Sequence, residues 1–380
     1  MRSRRAVLLL VLVIAAAGIA GWFWLTRTPS PVQQLTLSRT SFADLPGWRN
    51  SDLRAALSAF NRSCAVLAAR PPGTVMAYAG TAADWRSPCL AAANTAPRDA
   101  RAFFERSFVP YAIGDGLVTG YYEPLLSGSR VPHGRYRTPV YGVPGDLVSV
   151  DLGRFRPGWK GEHIAGRLEG LRLEPYPTRA EIDARPPPAR ILFYGDDPIA
   201  VFFLHIQGSG RVRLDDGTVL RVSYAGQNGQ PYTPVGRALV ARGVPREGMS
   251  MQVIRAWLRD HPSEAREVME TDASFVFFDD APVGDPRLGP VGTEGVALTP
   301  RASIAVDNRI HPLGAPFFLA GDGFADLFVA QDTGGAIRGP ARADVFYGFG
   351  AGAEATAGGM KAHPRFYVLL PKGVAPKLAP

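Results

Sequence analysis

Short apolar runs, each cut off by glycine or proline, recur from Leu117 onward and set the strongest limit on what this chain can fold into. The 380 residues include 42 glycines and 34 prolines, and both residue types punctuate extended segments with turns. Residues 116–124 (GLVTGYYEP) alternate and end at a proline. Residues 191–194 and 199–207 are apolar enough for buried strands. Residues 211–214 and 218–223 flank Asp215-Asp216-Gly217, a hairpin signal. Further strands are expected at 140–143, 303–306, 317–320, 327–330, 344–347 and 366–370.

The part before Leu117 has a different period. Leu53, Leu57, Phe60, Cys64 and Leu67 share one face of a helix expected to run to about Arg70, with Asn50 or Ser51 as its cap. Residues 97–108 form a second helix candidate, with Phe103, Phe104 and Phe108 as its apolar face. Further on, Pro234 opens a helix that Gly243 closes, Ser250 caps another, and a short one follows Pro262. The pattern is mainly β with helical additions, and the length suffices for two ordinary domains.

Residues 6–25 are unbroken apolar sequence after Arg2, Arg4 and Arg5. About twenty helical residues span about 30 Å, the thickness of a bilayer core, and the preceding arginines keep the N-terminus in the cytoplasm. The run therefore reads as a signal anchor to the inner membrane with the rest exported to the periplasm. A cleaved signal peptide with a site near Ala15-Ala16-Ala17 is the alternative. No cysteine stands directly after the run, so no lipid-anchor signal is expected. Residues 26–34 read as a linker. Cys64 and Cys89 are an even pair, which in an exported chain reads as a disulfide; two buried free thiols are the other reading. The net charge of +8 comes from dispersed arginines without a basic run, so no nucleic-acid partner is expected.

The chemistry concentrates in residues 331–350, QDTGGAIRGPARADVFYGFG. Asp332 follows an apolar run and precedes a Gly-Gly pair; Asp344 lies among apolar neighbours, where burial raises a carboxyl pKa. Both acids are equally readable as turn or ion-pair residues, with Arg338 and Arg342 nearby. Thr119-Gly120-Tyr121-Tyr122 offers aromatic faces for sugar rings, though aromatics on a strand are also core residues. Gln207 and Ser209, in a glycine-flanked segment, and Tyr224, beside amides, admit the same two readings. The six histidines are scattered and no zinc site or other cofactor is expected. Asp332-Thr-Gly occurs once, whereas an aspartic protease needs two copies.

Taken in order, Thr119-Gly-Tyr-Tyr-x-Pro124, Ile206-Gln-Gly-Ser-Gly210, Ser223-Tyr-Ala-Gly-x-Asn228, Ser274-Phe-Val-Phe-Phe278, Arg301-Ala-Ser303 and Asp332-x-Gly-Gly-Ala-Ile-x-Gly339 resemble the membrane-bound lytic murein transglycosylase A family. The resemblance covers roughly residues 42–371. It implies a double-psi β-barrel formed by residues 37–121 and 275–380 with a second β domain inserted as 122–274; residues 1–36 are the anchor and linker. It implies cleavage of the β-1,4 bond between N-acetylmuramic acid and N-acetylglucosamine in peptidoglycan, leaving 1,6-anhydromuramyl ends. Asp344 is then the acid/base and Asp332 a supporting acid. Thr119, Gly120, Tyr121, Tyr122, Gln207, Ser209 and Tyr224 are expected to line the glycan cleft. Glycan strands are the expected partner, and other cell-wall remodelling proteins are compatible with it. The competing readings are a hydrolytic glycosidase using both carboxylates and a non-catalytic glycan-binding module.

Overall fold

A helix forms where residues 53–67 repeat their apolar positions: α1 (Arg54–Ala69) buries Leu57, Phe60, Cys64 and Leu67. The computed structural model describes residues 34–159 and 162–378. The expected anchor at 6–25 lies outside the described residues. Among those described, no helix is long and apolar enough to cross a membrane. The cap of α1 differs from expectation. Leu53 precedes the helix without a side-chain cap, and Ser51 donates its hydroxyl to the Gly47 carbonyl instead.

After a two-residue strand β1 (Ser38–Arg39) and α1 come α2 (Ala82–Ala93) and α3 (Ala100–Ser107). Helix α2 is not evident from the sequence, because Pro88 sits inside it and proline usually argues against a helix interior. The signal was present in Thr81 and Asp84, which cap each other's backbone at its start. Cys64 of α1 and Cys89 of α2 are joined by a disulfide, S–S 2.09 Å. The bridge closes a separation of 25 residues, and chain entropy puts its worth at about 3 kcal/mol. Replacing both cysteines by serine should lower unfolding free energy by about that amount in urea titration. Thiol labelling of the denatured, unreduced protein should find none free; two labelled cysteines would contradict the bridge.

The strands then follow: β2 (Phe108–Asp115), β3 (Leu117–Glu123), β4 (Leu125–Ser129), β5 (Thr138–Tyr141), β6 (Val148–Asp151), β7 (His163–Glu169) and β8 (Arg172–Pro175). Next are α4 (Arg179–Ala184), β9 (Ile191–Gly195), α5 (Pro198–Gln207), β10 (Ser209–Leu214) and β11 (Val219–Gln227). Helices α6 (Gly236–Ala241), α7 (Met251–Asp260) and α8 (Pro262–Glu270) precede β12 (Val276–Pro282). The chain ends with β13 (Ser303–Val306), β14 (Pro316–Gly321), β15 (Phe324–Asp332), β16 (Arg342–Phe349), α9 (Gly350–Gly359), β17 (Lys361–Ala362) and β18 (Arg365–Pro371).

A nine-stranded sheet runs β1-β2-β18-β14-β15-β13-β16-β3-β17 and draws on both parts of the chain. Only residues 363–364 separate the edge strand β17 from β18 near the other edge, and Gly116 alone separates β2 from β3. Short links between distant positions of one sheet require it to roll, so it is nearly a closed barrel. Leu57, Phe60 and Trp85 from the helices, and Phe108, which opens β2 and does not belong to the expected helix face, pack with Phe317, Val329 and Leu369 in its core. Directly after β3 the chain enters a six-stranded sheet, β12-β11-β10-β4-β9-β5, with its own core of Val140, Phe193, Val212 and Phe278. A third sheet is β6-β7-β8.

Residues 199–207 were expected as a strand and are helix α5. The Asp197 side chain accepts from the Ile199 N–H at 2.8 Å, Pro198 takes the first turn, and Gly208 ends the helix at φ 75°. Val201 and Leu204 enter the six-stranded core, while Ile199, Phe202 and Phe203 pack with residues of α6, α7 and α8. A helix buried on all sides shows no polar face, so its sequence has no helical period to read.

Candidate active site

Ala305 of β13 organises the site. It pairs with Asp332 on parallel β15 and with Asp344 on antiparallel β16. Asp344 pairs with Thr119 on β3, and Thr119 with Lys361 on β17. These residues therefore form one row across the barrel sheet. In-register neighbours project to the same face, and adjacent strands lie about 4.8 Å apart. The two aspartate backbones thus stand about 10 Å apart on one face, with only an alanine methyl between them. A register shift in β15 between the partners of Ile304 and Ala305 passes over Gln331. Gln331 is consequently turned to the core, where its amide donates to Ala59 O and Ser63 Oγ, both at 2.8 Å.

The two carboxyls sit in unlike surroundings. Asp344 Oδ1 accepts one hydrogen bond, from the Thr119 hydroxyl at 2.7 Å. That hydroxyl in turn accepts from Arg342 Nη2 at 2.8 Å. Asp344 Oδ2 makes no hydrogen bond to a described residue. Burial pushes its pKa up to about 6; the Thr119 bond and the Arg342 charge oppose this, and the charge of Asp332 adds to it. Asp332 is held on both oxygens: Oδ2 by the Tyr121 hydroxyl at 2.8 Å, Oδ1 by the Thr293 N–H and hydroxyl, each at 3.0 Å. Burial raises its pKa as well, against those donors. Burial and the neighbouring Asp332 keep the Tyr121 phenol protonated, so it remains a donor. One acid is fastened; the other keeps an oxygen available and a pKa suited to proton transfer.

Of the residues expected to line a cleft, Thr119 and Tyr121 lie on the face of the aspartates. Gly120 and Tyr122 alternate to the other face of β3. A Cβ at Gly120 would meet Tyr347 Cε2 at 2.8 Å and Ala357 Cα at 2.9 Å, so glycine there lets α9 lie against β3. Tyr122 is 1% exposed, and its hydroxyl meets Arg255 Nη2 at 3.4 Å. Gln207 Oε1 accepts from the Tyr122 N–H at 3.1 Å and so braces β3 from behind. Ser209 is buried on β10, and Tyr224 is exposed on β11 of the six-stranded sheet. Thr293 is not among the residues that the sequence singles out. Its only signal was the turn Gly292-Thr-Glu-Gly295, which carries no pointer to a site 39 residues on.

A family model described as the MltA specific insert domain matches residues 117–279, and one described as the 3D domain matches residues 302–370. The membrane-bound lytic murein transglycosylase A of Vibrio cholerae is 32% identical over 270 residues, 67% of this chain and 66% of that protein. Its namesake from Escherichia coli strain K12 is 34% identical over 272 residues, with the same coverage of 67% and 66%. The chain thus spans just under two thirds of the length of these relatives. Among solved structures, the membrane-bound lytic murein transglycosylase from Agrobacterium tumefaciens is similar at a TM-score of 0.79 and 34% identity, over 89% of this chain and 98% of that one. E. coli MltA with bound chitohexaose is similar at a TM-score of 0.64 and 26% identity, over 90% and 95%.

Proposed function

This chain belongs to the membrane-bound lytic murein transglycosylase A family, and we propose that it cleaves the β-1,4 bond between N-acetylmuramic acid and N-acetylglucosamine of peptidoglycan with Asp344 as its single acid/base. The observation that carries the assignment is the asymmetry of the two aspartates. Asp344 has one donor and a pKa of about 6, whereas Asp332 is fixed on both oxygens.

Protonated Asp344 gives its proton to the glycosidic oxygen as the C1–O4 bond breaks. The muramyl 6-hydroxyl oxygen then bonds to C1, and its proton returns to the Asp344 carboxylate. The product is a 1,6-anhydro end, no water is consumed, and the acid is regenerated. Asp332 stays charged, orients Tyr121 and Thr293, and favours positive character developing at the sugar ring. Thr119 and Tyr121 stand at the glycan, and the exposed Tyr224 extends the binding surface onto the six-stranded sheet, with Ser209 buried beside it on β10 as a support. The catalytic unit is a double-psi barrel drawn from both parts of the chain, and the insert expected as 122–274 extends through β12, whose residues 276–282 pair with β11. It acts in the periplasm, tethered to the inner membrane through residues 6–25.

Mass spectrometry of peptidoglycan digested by the full chain is the direct test. The expected muropeptides lack a reducing end and are lighter than hydrolytic products by one water. Reducing ends would assign a hydrolase that uses both carboxylates, and glycan bound but uncut would assign a binding module. The pH dependence follows from the same group. The acid must be protonated, so kcat/KM should fall about tenfold per pH unit above about 6. A profile flat to pH 8 would exclude Asp344 as the acid.

A further inference from the structure

Thr293, which fastens Asp332, has a support of its own. Residues 289–298 form a narrow turn closed by Gly289 N to Leu298 O at 2.8 Å and Gly292 N to Val296 O at 2.9 Å. A Cβ at Gly292 would lie 2.5 Å from Gln331 O and 3.3 Å from Asp332 Cβ, so the turn rests flush on the end of β15. The Glu294 N–H donates to Gln331 O at 3.0 Å, and its side chain passes inward to α1. There Glu294 is 6% exposed, and its Oε2 accepts from Ser63 Oγ at 2.6 Å. Ser63 also takes the Gln331 amide proton, and Gln331 Oε1 accepts from Ser303 Oγ at 2.5 Å. The Glu294 Oε1 atom is buried with no partner among the described residues. Burial raises its carboxyl to about 7, opposed by Ser63, Arg70 and Gln331.

A buried carboxyl with one unmatched oxygen is a poor way to gain stability; an apolar side chain of the same shape does as well or better. What an apolar side chain does not supply is the directional bond to Ser63, which fixes where residue 294, and with it residue 293, sits above Asp332. We propose that Glu294 is a positioning residue of the reaction: it seats the turn so that Thr293 holds Asp332 beside Asp344. The inference rests on the catalytic reading of Asp344 and Asp332, and it acts through Asp332 without touching the glycan.

The test measures kcat, KM and their pH profiles for the full chain carrying Glu294→Ala, Glu294→Gln, Asp332→Asn and the double variant Glu294→Ala/Asp332→Asn, with Asp344→Asn alongside. Small misplacement of a catalytic constellation costs up to about a hundredfold in rate, so Glu294→Ala should lower kcat about ten- to a hundredfold with KM little changed. Its alkaline limb should move to lower pH, because the Asp332 charge that raises the Asp344 pKa is no longer held in place. Glu294→Gln keeps the acceptor for Ser63 and should recover most of the loss. In the Asp332→Asn background the alanine change should cost nothing further, since the effect travels through that carboxylate. Should the alanine variant fail to fold, Glu294→Leu, which refills the space without the bond, is read in its place. A wild-type rate and profile for Glu294→Ala, with Asp344→Asn inactive, overturns the inference alone. So does a loss that persists undiminished in the Asp332→Asn background. An active Asp344→Asn overturns the catalytic reading and this inference with it.

Discussion

Asp344→Asn should form no 1,6-anhydro product and should still bind glycan. Proton transfer by one positioned group contributes about a hundred- to ten-thousand-fold in rate, and here one carboxyl performs both transfers. Asparagine keeps the side-chain size, and its amide oxygen still accepts from the Thr119 hydroxyl that now bonds Asp344 Oδ1 at 2.7 Å. The site geometry is therefore retained and the exchangeable proton is lost. Asp332→Asn should reduce turnover less, because it removes an orienting charge and leaves the acid in place. It should also move the alkaline limb of the profile downward, since the Asp332 charge contributes to the raised pKa of Asp344. Turnover and glycan affinity measured together on both variants decide the roles. An active Asp344→Asn with an inactive Asp332→Asn would exchange them. Near-normal turnover in both, each folded, would remove the single-carboxylate reading.

The largest expected loss of stability is at Glu123. It ends β3, immediately before the chain passes into the six-stranded sheet, and it is fully buried. Its Oε1 accepts from Arg221 Nε at 2.9 Å and its Oε2 from Arg211 Nε at 3.2 Å. Both arginines also donate to the Leu288 carbonyl, at 2.6 and 3.2 Å, and the Arg211 guanidinium lies 3.5 Å from the Phe349 ring centroid. Burial pushes the Glu123 carboxyl pKa up, and the two guanidiniums pull it back. Removing one partner of a buried ion pair leaves an uncompensated charge and costs about 3–5 kcal/mol. Glu123→Ala leaves two such cations, so denaturant unfolding should show a loss in that range. A loss below about 1 kcal/mol would mean that water solvates both arginines once the carboxylate is gone.

What could be read without coordinates was local. The stripe of Leu53, Leu57, Phe60, Cys64 and Leu67 has the helical period and is buried along α1. Asp215-Asp216-Gly217 turns the hairpin of β10 and β11 where expected. The strands after Ser303 fall at their apolar runs because each run matches the length of one strand. Two aspartates, a threonine and a tyrosine were identifiable as candidates from residue type and neighbours. Their arrangement was not, because strand pairing joins residues far apart in sequence and leaves no local period. Thr119 meets Asp344 across 225 positions, and Tyr121 meets Asp332 across 211. The same applies to Ala305, an ordinary alanine in the sequence that spaces the two acids only because β13 lies between β15 and β16. Helix α5 escaped for the opposite reason: buried on all sides, it has no polar face to reveal its period. Alternation along β3 would have told Thr119 and Tyr121 from Gly120 and Tyr122, but which face held the aspartates depended on the register with β16. That register is set by the roll of the whole barrel, and no segment of the chain carries it alone.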